Sequence, residues 1–192
     1  MRRARIAILI SGRGTNMEAL LKASASGELS ADVTFVGSDN ANAGGLATAK
    51  ALGIAAHVFS YKEMGRKTAE NAIAEYVEKT ESDIIVLAGF MKILSPEFVR
   101  RFPRRILNIH PALLPLFPGA HAIRDAWEAG VSESGVTVHI VDEEVDHGEI
   151  LEQCAVDREE NDTIETFEAK IHAVEHRIYK HALQTFIESE IL

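Results

Sequence analysis

The feature that most constrains the fold is a regular alternation of short apolar runs with stretches of helical period. The apolar runs are rich in Val and Ile and predict buried strands at residues 4–11, 33–38, 55–60, 83–90 and 105–110. The stretches of helical period lie at 16–25, 45–52, 67–79 and 96–102. This alternation predicts right-handed βαβ units, and therefore an α/β, Rossmann-like fold with a mostly parallel twisted sheet and helices on both faces.

The pattern changes after Gly119. Residues 135–145 and 148–157 predict two strands joined by an acidic connection around Asp146. We expect these two strands to pair as an antiparallel C-terminal extension of the sheet, followed by an amphipathic helix over 163–188. The chain has no internal repeat, low-complexity stretch or Pro/Gly linker, so we expect a single domain over residues 1–192.

Composition limits the classes of partner. The net charge of −9 argues against nucleic acid, because a polyanion is repelled by an acidic surface. The single Cys154 leaves no disulfide framework and suits a reducing compartment. The apolar run 6–10 is too short for a signal peptide, and no stretch approaches the ~18 apolar residues of a transmembrane helix. We therefore expect a cytoplasmic protein without a membrane partner, and the sequence assigns no oligomeric state.

The motif SGRGTN, residues 11–16, lies between the first strand and the first helix. Glycines in such a turn let backbone amides approach a ligand, and the helix N-terminus adds positive potential, so the turn suits one phosphate. Thr15 and Glu18 have capping-box spacing. Met17 stands where a dinucleotide fingerprint needs a third Gly, and the Gly-Lys-Ser/Thr of a nucleotide P-loop is absent. Alone, the turn is also compatible with a purely structural role.

The stretch LNIHPALLP, residues 107–115, ends a buried strand in polar residues. Asn108 and His110 are two apart, so both side chains point to the same side of the strand. Pro111 favours extended backbone at His110, which predicts that the imidazole points out at the carboxyl edge of the sheet. Ligands of open α/β sheets bind at that edge, where SGRGTN and GFMKIL (89–94) also end their strands. We therefore prefer a functional interpretation of this pair to satisfied core groups.

Five motifs in order resemble the phosphoribosylglycinamide formyltransferase family. They are SGRGTN, VLAGFMKILSPEFV (86–99), LNIHPALLPLFPGAH (107–121), GVTVHIVDEEVDHGEIL (135–151) and VEHRIY (174–179). The resemblance implies transfer of formyl from 10-formyltetrahydrofolate, as co-substrate, to the amine of glycinamide ribotide in purine synthesis. It implies a direct attack through a tetrahedral intermediate, with no metal and with two small-molecule substrates.

The resemblance also implies roles for individual residues. The catalytic residues would be Asn108, His110 and Asp146. Contacts to glycinamide ribotide would come from Gly14, Thr15, Asn16 and Glu175. Contacts to the folate would come from Arg66, Met91, Lys92, Ile93, Leu94, Asn108, Asp142, Glu143, Glu144, Val145 and Asp146.

The chain departs from the family pattern at three positions. Arg13 stands where some members have a small polar residue, and Lys92 stands where Arg is familiar. Both keep or add positive charge near anionic ligands. His147 replaces a frequent Gly beside Asp146, where an imidazole can affect the loop or its titration.

Other functions share parts of these motifs. His172-Ala-Val-Glu175-His176 satisfies the H-x-x-E-H zinc motif, but too few residues follow it to supply the downstream third ligand of that peptidase group. Methionyl-tRNA formyltransferases and formyltetrahydrofolate deformylases would be expected to carry additional domains. Sugar-nucleotide formyltransferases share the Asn-x-His and the later Asp, but the phosphate turn with Glu175 favours glycinamide ribotide. A non-catalytic nucleotide-binding module would not explain the presence of Asn108 and His110.

The other histidines are predicted to be packing or surface residues, and one of them, His121, borders the expected site. They are His57, His121, His139 and His181.

Overall fold

The computed structural model describes residues 2–192. The strands are β1 Ala4–Ile10, β2 Ala31–Ser38, β3 Ala56–Val58, β4 Ile84–Leu87, β5 Ile106–His110, β6 Glu133–Ile140 and β7 Ile150–Asp157. The helices are α1 Thr15–Ser26, α2 Gly44–Ala51, α3 Tyr61–Met64, α4 Arg66–Lys79, α5 Pro96–Arg101, α6 Ala122–Glu128 and α7 Ile164–Glu190. Every strand and helix expected from the sequence is present, whereas the short helices α3 and α6 are additional.

The strands form one sheet in the order β3-β2-β1-β4-β5-β6-β7. The first five pair in parallel, and β6 and β7 are antiparallel to their neighbours, which confirms the predicted fold class. The strand order reverses between β1 and β4, so the carboxyl ends of these two strands flank the switch point where open α/β sheets bind ligands.

Two apolar layers cover the two faces of the sheet. Alternate residues of β1 divide between them: Ile6, Ile8 and Ile10 pack with α1, α2 and α7, and Ala7 and Leu9 pack with α4 and α5. Because β1 is buried on both sides from Ile6 to Ile10, this part of its sequence is a continuous apolar run without polar alternation. The helices therefore lie on both faces, as expected.

Helix α7 is anchored in the middle of the sheet by a buried hydroxyl. The Tyr179 side chain is 1% exposed, and its Oη lies 2.9 Å from the Leu87 carbonyl oxygen and 3.0 Å from that of Leu107. Burial raises the pKa of this phenol well above its usual value. The contact ties α7 to β4 and β5 close to their carboxyl ends, which fixes the helix beside the candidate site.

The prediction of a capping box at the start of α1 is wrong. Thr15 is already the first helical residue, and the N-cap is Gly14 at φ 78°, with no side-chain hydrogen bond to the helix. A left-handed N-cap is available to Gly at no steric cost, so this residue displaces Thr15 from the capping position. The first backbone N–H groups of α1 are consequently left unpaired by any capping side chain.

Candidate active site

The polar residues of β5 lie beside polar residues of the antiparallel strand β6. Antiparallel pairing places Asn108 opposite His139, and His110 opposite Thr137. Asn108 Nδ2 lies 3.2 Å from His139 Nε2. Contrary to the expectation that His110 points out at the edge, its side chain is buried, with the residue only 4% exposed, because residues around Phe117 fold over it.

His139 was not among the residues expected to form the site. Burial lowers its pKa, and its Nδ1 lies 3.1 Å from the Ile140 carbonyl oxygen, so Nδ1 carries the proton and Nε2 accepts from the Asn108 amide. Its Nε2 also lies 3.8 Å from Asp146 Oδ1. Because the ring is neutral and Nε2 has no proton to offer, this last contact is not an ion pair.

Asp146 is held against His110 by the loop after β6. Its Oδ2 lies 3.5 Å from His110 Nδ1 and accepts a 2.8 Å hydrogen bond from the Gly119 amide. The other imidazole nitrogen, Nε2, lies 2.8 Å from the Phe117 carbonyl oxygen and therefore donates to it. Phe117 and Asp146 both adopt left-handed backbone conformations, with φ of 50° and 52°, and such outliers concentrate at functional sites.

The glycine turn lies at the switch point beside this cluster. The Gly45 amide donates to the Gly12 carbonyl oxygen at 3.1 Å, so the start of α2 packs against the turn that precedes α1. A Cβ at Gly45 would lie 2.4 Å from Ile10 Cδ1 and 3.1 Å from the Arg13 carbonyl oxygen, which shows that the approach requires glycine. The first N–H groups of α1 receive no capping side chain, and helix N-termini of this kind attract anions.

Asn16 and Glu175 lie together, although 159 positions separate them in sequence. Asn16 Nδ2 donates to Glu175 Oε2 at 3.3 Å, and both residues are more than 90% buried. The Asn16 Oδ1 atom is buried without a hydrogen-bond partner among the described residues. A buried unpaired acceptor is costly, so this oxygen is available to a ligand that donates a hydrogen bond.

The segment after β4 and the loop after β6 form the outer part of the site. The Met91 amide donates to Ser11 Oγ at 2.8 Å, and Lys92 Nζ lies 3.4 Å from Asp39 Oδ2, so this segment is attached to the glycine turn. Met91, Ile93 and Val145 expose 65%, 60% and 51% of their surface, whereas Leu94 is buried. Apolar side chains this exposed are typical of a ligand cleft.

The acidic loop, residues 142–148, is held by contacts near its beginning and its end. Asp142 accepts from the Glu144 amide at 2.9 Å and pairs with His147 Nδ1 at 2.8 Å, and this hydrogen bond raises the pKa of His147. Glu143 pairs with Arg100 at 2.6 Å. The carboxylates of Asp142 and Glu143 are therefore engaged within the protein, whereas the Val145 side chain between them and Asp146 is exposed.

Some expected site residues are not joined to this cluster by a direct contact. Arg66 begins α4, is exposed, and makes no hydrogen bond or ion pair within residues 2–192. His172 and His176 lie on α7, and no group of three or more His, Cys, Asp or Glu side chains in the described chain is arranged to hold a metal ion. Of the helices between residues 2 and 192, none has the length and apolarity that a membrane span requires.

Comparison with known proteins agrees with the geometry. The family model described as formyl transferase matches residues 4–183, which defines the class of protein. A phosphoribosylglycinamide formyltransferase of Haemophilus influenzae is 43% identical over 97% of this chain and 89% of the relative's length. The chain belongs to the phosphoribosylglycinamide formyltransferase family, which confirms the resemblance identified from the motifs.

Solved structures give the same result. The crystal structure of glycinamide ribonucleotide transformylase 1 from Symbiobacterium toebii superimposes with a TM-score of 0.93 at 41% identity, covering 100% of this chain and 91% of that one. A phosphoribosylglycinamide formyltransferase from Brucella melitensis gives a TM-score of 0.91 at 46% identity, covering 99% of this chain and 98% of that one. The whole described fold is thus shared with these enzymes.

Proposed function

We propose that this enzyme transfers the formyl group of 10-formyltetrahydrofolate to the amine of 5′-phosphoribosylglycinamide in de novo purine biosynthesis. The observation that carries the proposal is the cluster of the buried His110 and His139 with the partly exposed Asn108 and Asp146, near the uncapped glycine turn. Relatives over nearly the full chain are named for this activity. The reaction proceeds by direct attack, through a tetrahedral intermediate, without a covalent enzyme intermediate or a metal.

Asn108 stabilises the oxygen of the tetrahedral intermediate. When the substrate amine attacks the formyl carbon, the carbonyl electron pair moves to the oxygen, which needs a fixed hydrogen-bond donor. The Asn108 amide has two N–H groups, and one is already committed to His139 Nε2. The second N–H is therefore held in a defined direction, so that it donates to the developing oxyanion without reorganisation.

His110 and Asp146 carry out the proton transfers of the reaction. The attacking nitrogen must lose a proton, and N10 of the folate must gain one when its bond to the formyl carbon breaks. A carboxylate 3.5 Å from His110 Nδ1 accepts hydrogen bonds from the amine and stabilises the imidazolium that His110 forms during the relay. His110, directly or through water, passes the proton to N10, so the reaction as a whole releases no proton.

The glycine turn and Glu175 bind the ribotide. The unpaired N–H groups at Gly14, Thr15 and Asn16 bind its phosphate, since they point along the positive end of α1. Asn16 Oδ1 and the Glu175 carboxylate then supply two buried acceptors for the hydroxyl or amide donors of the same substrate. A Glu175→Gln variant is expected to weaken ribotide binding and to leave folate binding unchanged.

The cleft between the Met91–Leu94 segment and the loop 142–146 binds the folate. Its exposed apolar side chains, Met91, Ile93 and Val145, suit the flat pterin ring, and the edge of the ring meets backbone and carboxylate groups of the loop. The exposed cations Lys92 and Arg66 are proposed to attract the anionic glutamate tail. The remaining contacts come from Ile93, Leu94, Asn108, Asp142, Glu143, Glu144 and Asp146.

The continuous seven-stranded sheet supports one formyltransferase domain over residues 1–192, working in the cytoplasm on small molecules. The acidic net charge of −9 is consistent with the absence of nucleic-acid and membrane partners.

The decisive experiment follows deformylated folate spectrophotometrically, with 10-formyltetrahydrofolate supplied alone and together with glycinamide ribotide. Release that depends on the ribotide supports the proposal. Release without the ribotide would indicate a hydrolase and contradict it. Release that requires a sugar nucleotide instead would assign a different acceptor. Asp146→Asn is the matched variant, because it keeps the size of the side chain while removing its charge, and it is expected to abolish most of the turnover.

A further inference from the structure

A partly exposed histidine on α7, His172, contacts the buried Glu175. His172 lies one helical turn before Glu175, and its Nδ1 lies 2.7 Å from Glu175 Oε2. The same oxygen accepts from Asn16 Nδ2, so the imidazole lies directly beside the first turn of α1, where the phosphate is proposed to bind. We infer that His172 is a positioning residue for ribotide binding, which holds the Glu175 carboxylate in place beside Asn16 and turned toward the substrate. This inference rests on the proposed function.

The geometry requires a protonated ring. His172 Nδ1 faces Glu175, and Nε2 lies 3.4 Å from Glu168 Oε1, so each nitrogen faces a carboxylate. A neutral imidazole donates from one nitrogen only, whereas imidazolium donates from both. The hydrogen bond to Glu175 also raises the pKa of His172, against the effect of partial burial. From α7 the facing charges are Glu168 and Glu175, and from α1 the neutral Asn16 shares the Glu175 oxygen.

The position of the Glu175 carboxylate depends on His172 because Glu175 is shielded from solvent. Its side chain is 6% exposed, and in residues 2–192 His172 is the basic group that pairs with it. A buried carboxylate without a counter-charge is strongly disfavoured, so we expect the Glu175 side chain to leave this position when His172 is removed. With Oε2 engaged by Asn16 and His172, the second oxygen Oε1 makes no hydrogen bond within the described chain and is free to accept from the ribotide.

The test compares steady-state kinetics of the full-length enzyme with His172 replaced. Loss of a charge-assisted hydrogen bond behind a binding group is expected to raise KM for the ribotide about tenfold in His172→Ala. KM for 10-formyltetrahydrofolate and kcat at saturation are expected to stay within about twofold. His172→Lys, which keeps a cation, is expected to restore much of the affinity. His172→Gln serves as a second variant if His172→Ala folds poorly.

His181→Ala is the matched control. His181 lies on the same helix and pairs with Glu152 at 2.8 Å, but its side chain is 71% exposed and Glu152 belongs to β7, away from the ribotide. This variant is expected to change neither KM. If the ribotide KM of His172→Ala equals that of the wild type, or if both KM values and kcat change together, the inference is overturned.

A pH series adds a readout that a structural role would not produce. Ribotide binding by the wild type and by His172→Lys is measured calorimetrically from about pH 6 to about pH 9. Affinity of the wild type is expected to fall more steeply with pH than that of His172→Lys, because His172 loses its proton whereas the lysine stays charged. Parallel pH profiles for the two proteins would overturn the inference. A wild-type enzyme without ribotide-dependent turnover would instead refute the proposed function, and this inference with it.

Discussion

Replacing Gly148 by alanine is expected to lower kcat about a hundredfold. Gly148 ends the loop that carries Asp146, and a Cβ at this position would lie 1.8 Å from the Ile140 carbonyl oxygen and 3.2 Å from the Asp142 amide nitrogen. Both are backbone atoms, so neither can rotate away. Non-bonded heavy atoms approach to about 3.5 Å, so the loop must shift by roughly 1.5 Å. A misplacement of about 1 Å near the reacting atoms costs about a hundredfold in rate, or ~2.7 kcal/mol.

The assay is steady-state turnover at saturating concentrations of both substrates, paired with thermal unfolding. Overpacking of this kind costs about 1–3 kcal/mol, which corresponds to a decrease of roughly 2–12 °C in Tm for a chain of this length. KM for the ribotide is expected to stay near wild type, because Gly148 does not touch the glycine turn.

The control is Gly53→Ala, at a remote glycine with φ 75° where a Cβ meets no atom within 4 Å. Its left-handed backbone is strained by alanine, so it is expected to lose stability while keeping kcat. A Gly148→Ala enzyme whose kcat lies within about threefold of wild type would refute the reasoning, because the loop would then tolerate displacement.

Three further outcomes are expected. Asn108→Ala is expected to lower kcat by about 10²–10³ with an unchanged KM for the ribotide, because it removes the oxyanion donor; steady-state kinetics with near wild-type kcat would contradict that role. Tyr179→Phe is expected to lower the free energy of unfolding by about 1–2 kcal/mol in urea titrations, because the buried hydroxyl contacts the carbonyl oxygens of Leu87 and Leu107; no measurable loss would contradict it. Burial lowers the pKa of His57, so its contribution to stability is complete above about pH 6.5 and is lost as the pH falls below that value. His57→Phe is therefore expected to reduce the decrease in Tm between about pH 7.5 and about pH 5, and an unaltered decrease would argue against this assignment.

Most of the fold could be predicted because β1 to β5 are continuous apolar runs separated by helical periods. The helices α3 and α6 were not predicted, because segments of four and seven residues contain too few turns for a period to appear. The start of α1 was placed incorrectly, because capping-box spacing at Thr15 competes with Gly14, whose left-handed conformation is a backbone property that the spacing does not report.

The candidate site was predicted in part. Asn108 and His110 could be identified from their positions at the end of a strand, and Asp146 from the family motif. His139 was overlooked because a single His in an apolar strand is most often a packing residue. Its role depends on the antiparallel register that places it opposite Asn108, and register is a property of two strands that neither shows alone. His172 was considered only as a zinc ligand. Its spacing from Glu175 is visible in the sequence, but the contact of Glu175 with Asn16 depends on the packing of α7 against α1.

The distribution of the site over different elements has a consequence for how such an enzyme can change its acceptor. The parts proposed to hold the ribotide are the β1–α1 turn and one face of α7, whereas the parts proposed to perform the formyl transfer lie on β5, β6 and the loop after β6. Tyr179 of α7 joins the two parts, because its hydroxyl contacts the carbonyl oxygens of Leu87 on β4 and Leu107 on β5. Acceptor recognition and formyl chemistry are therefore separable modules, and substitutions at the start of α1 and along residues 172–175 are expected to exchange the acceptor while leaving the chemical apparatus intact.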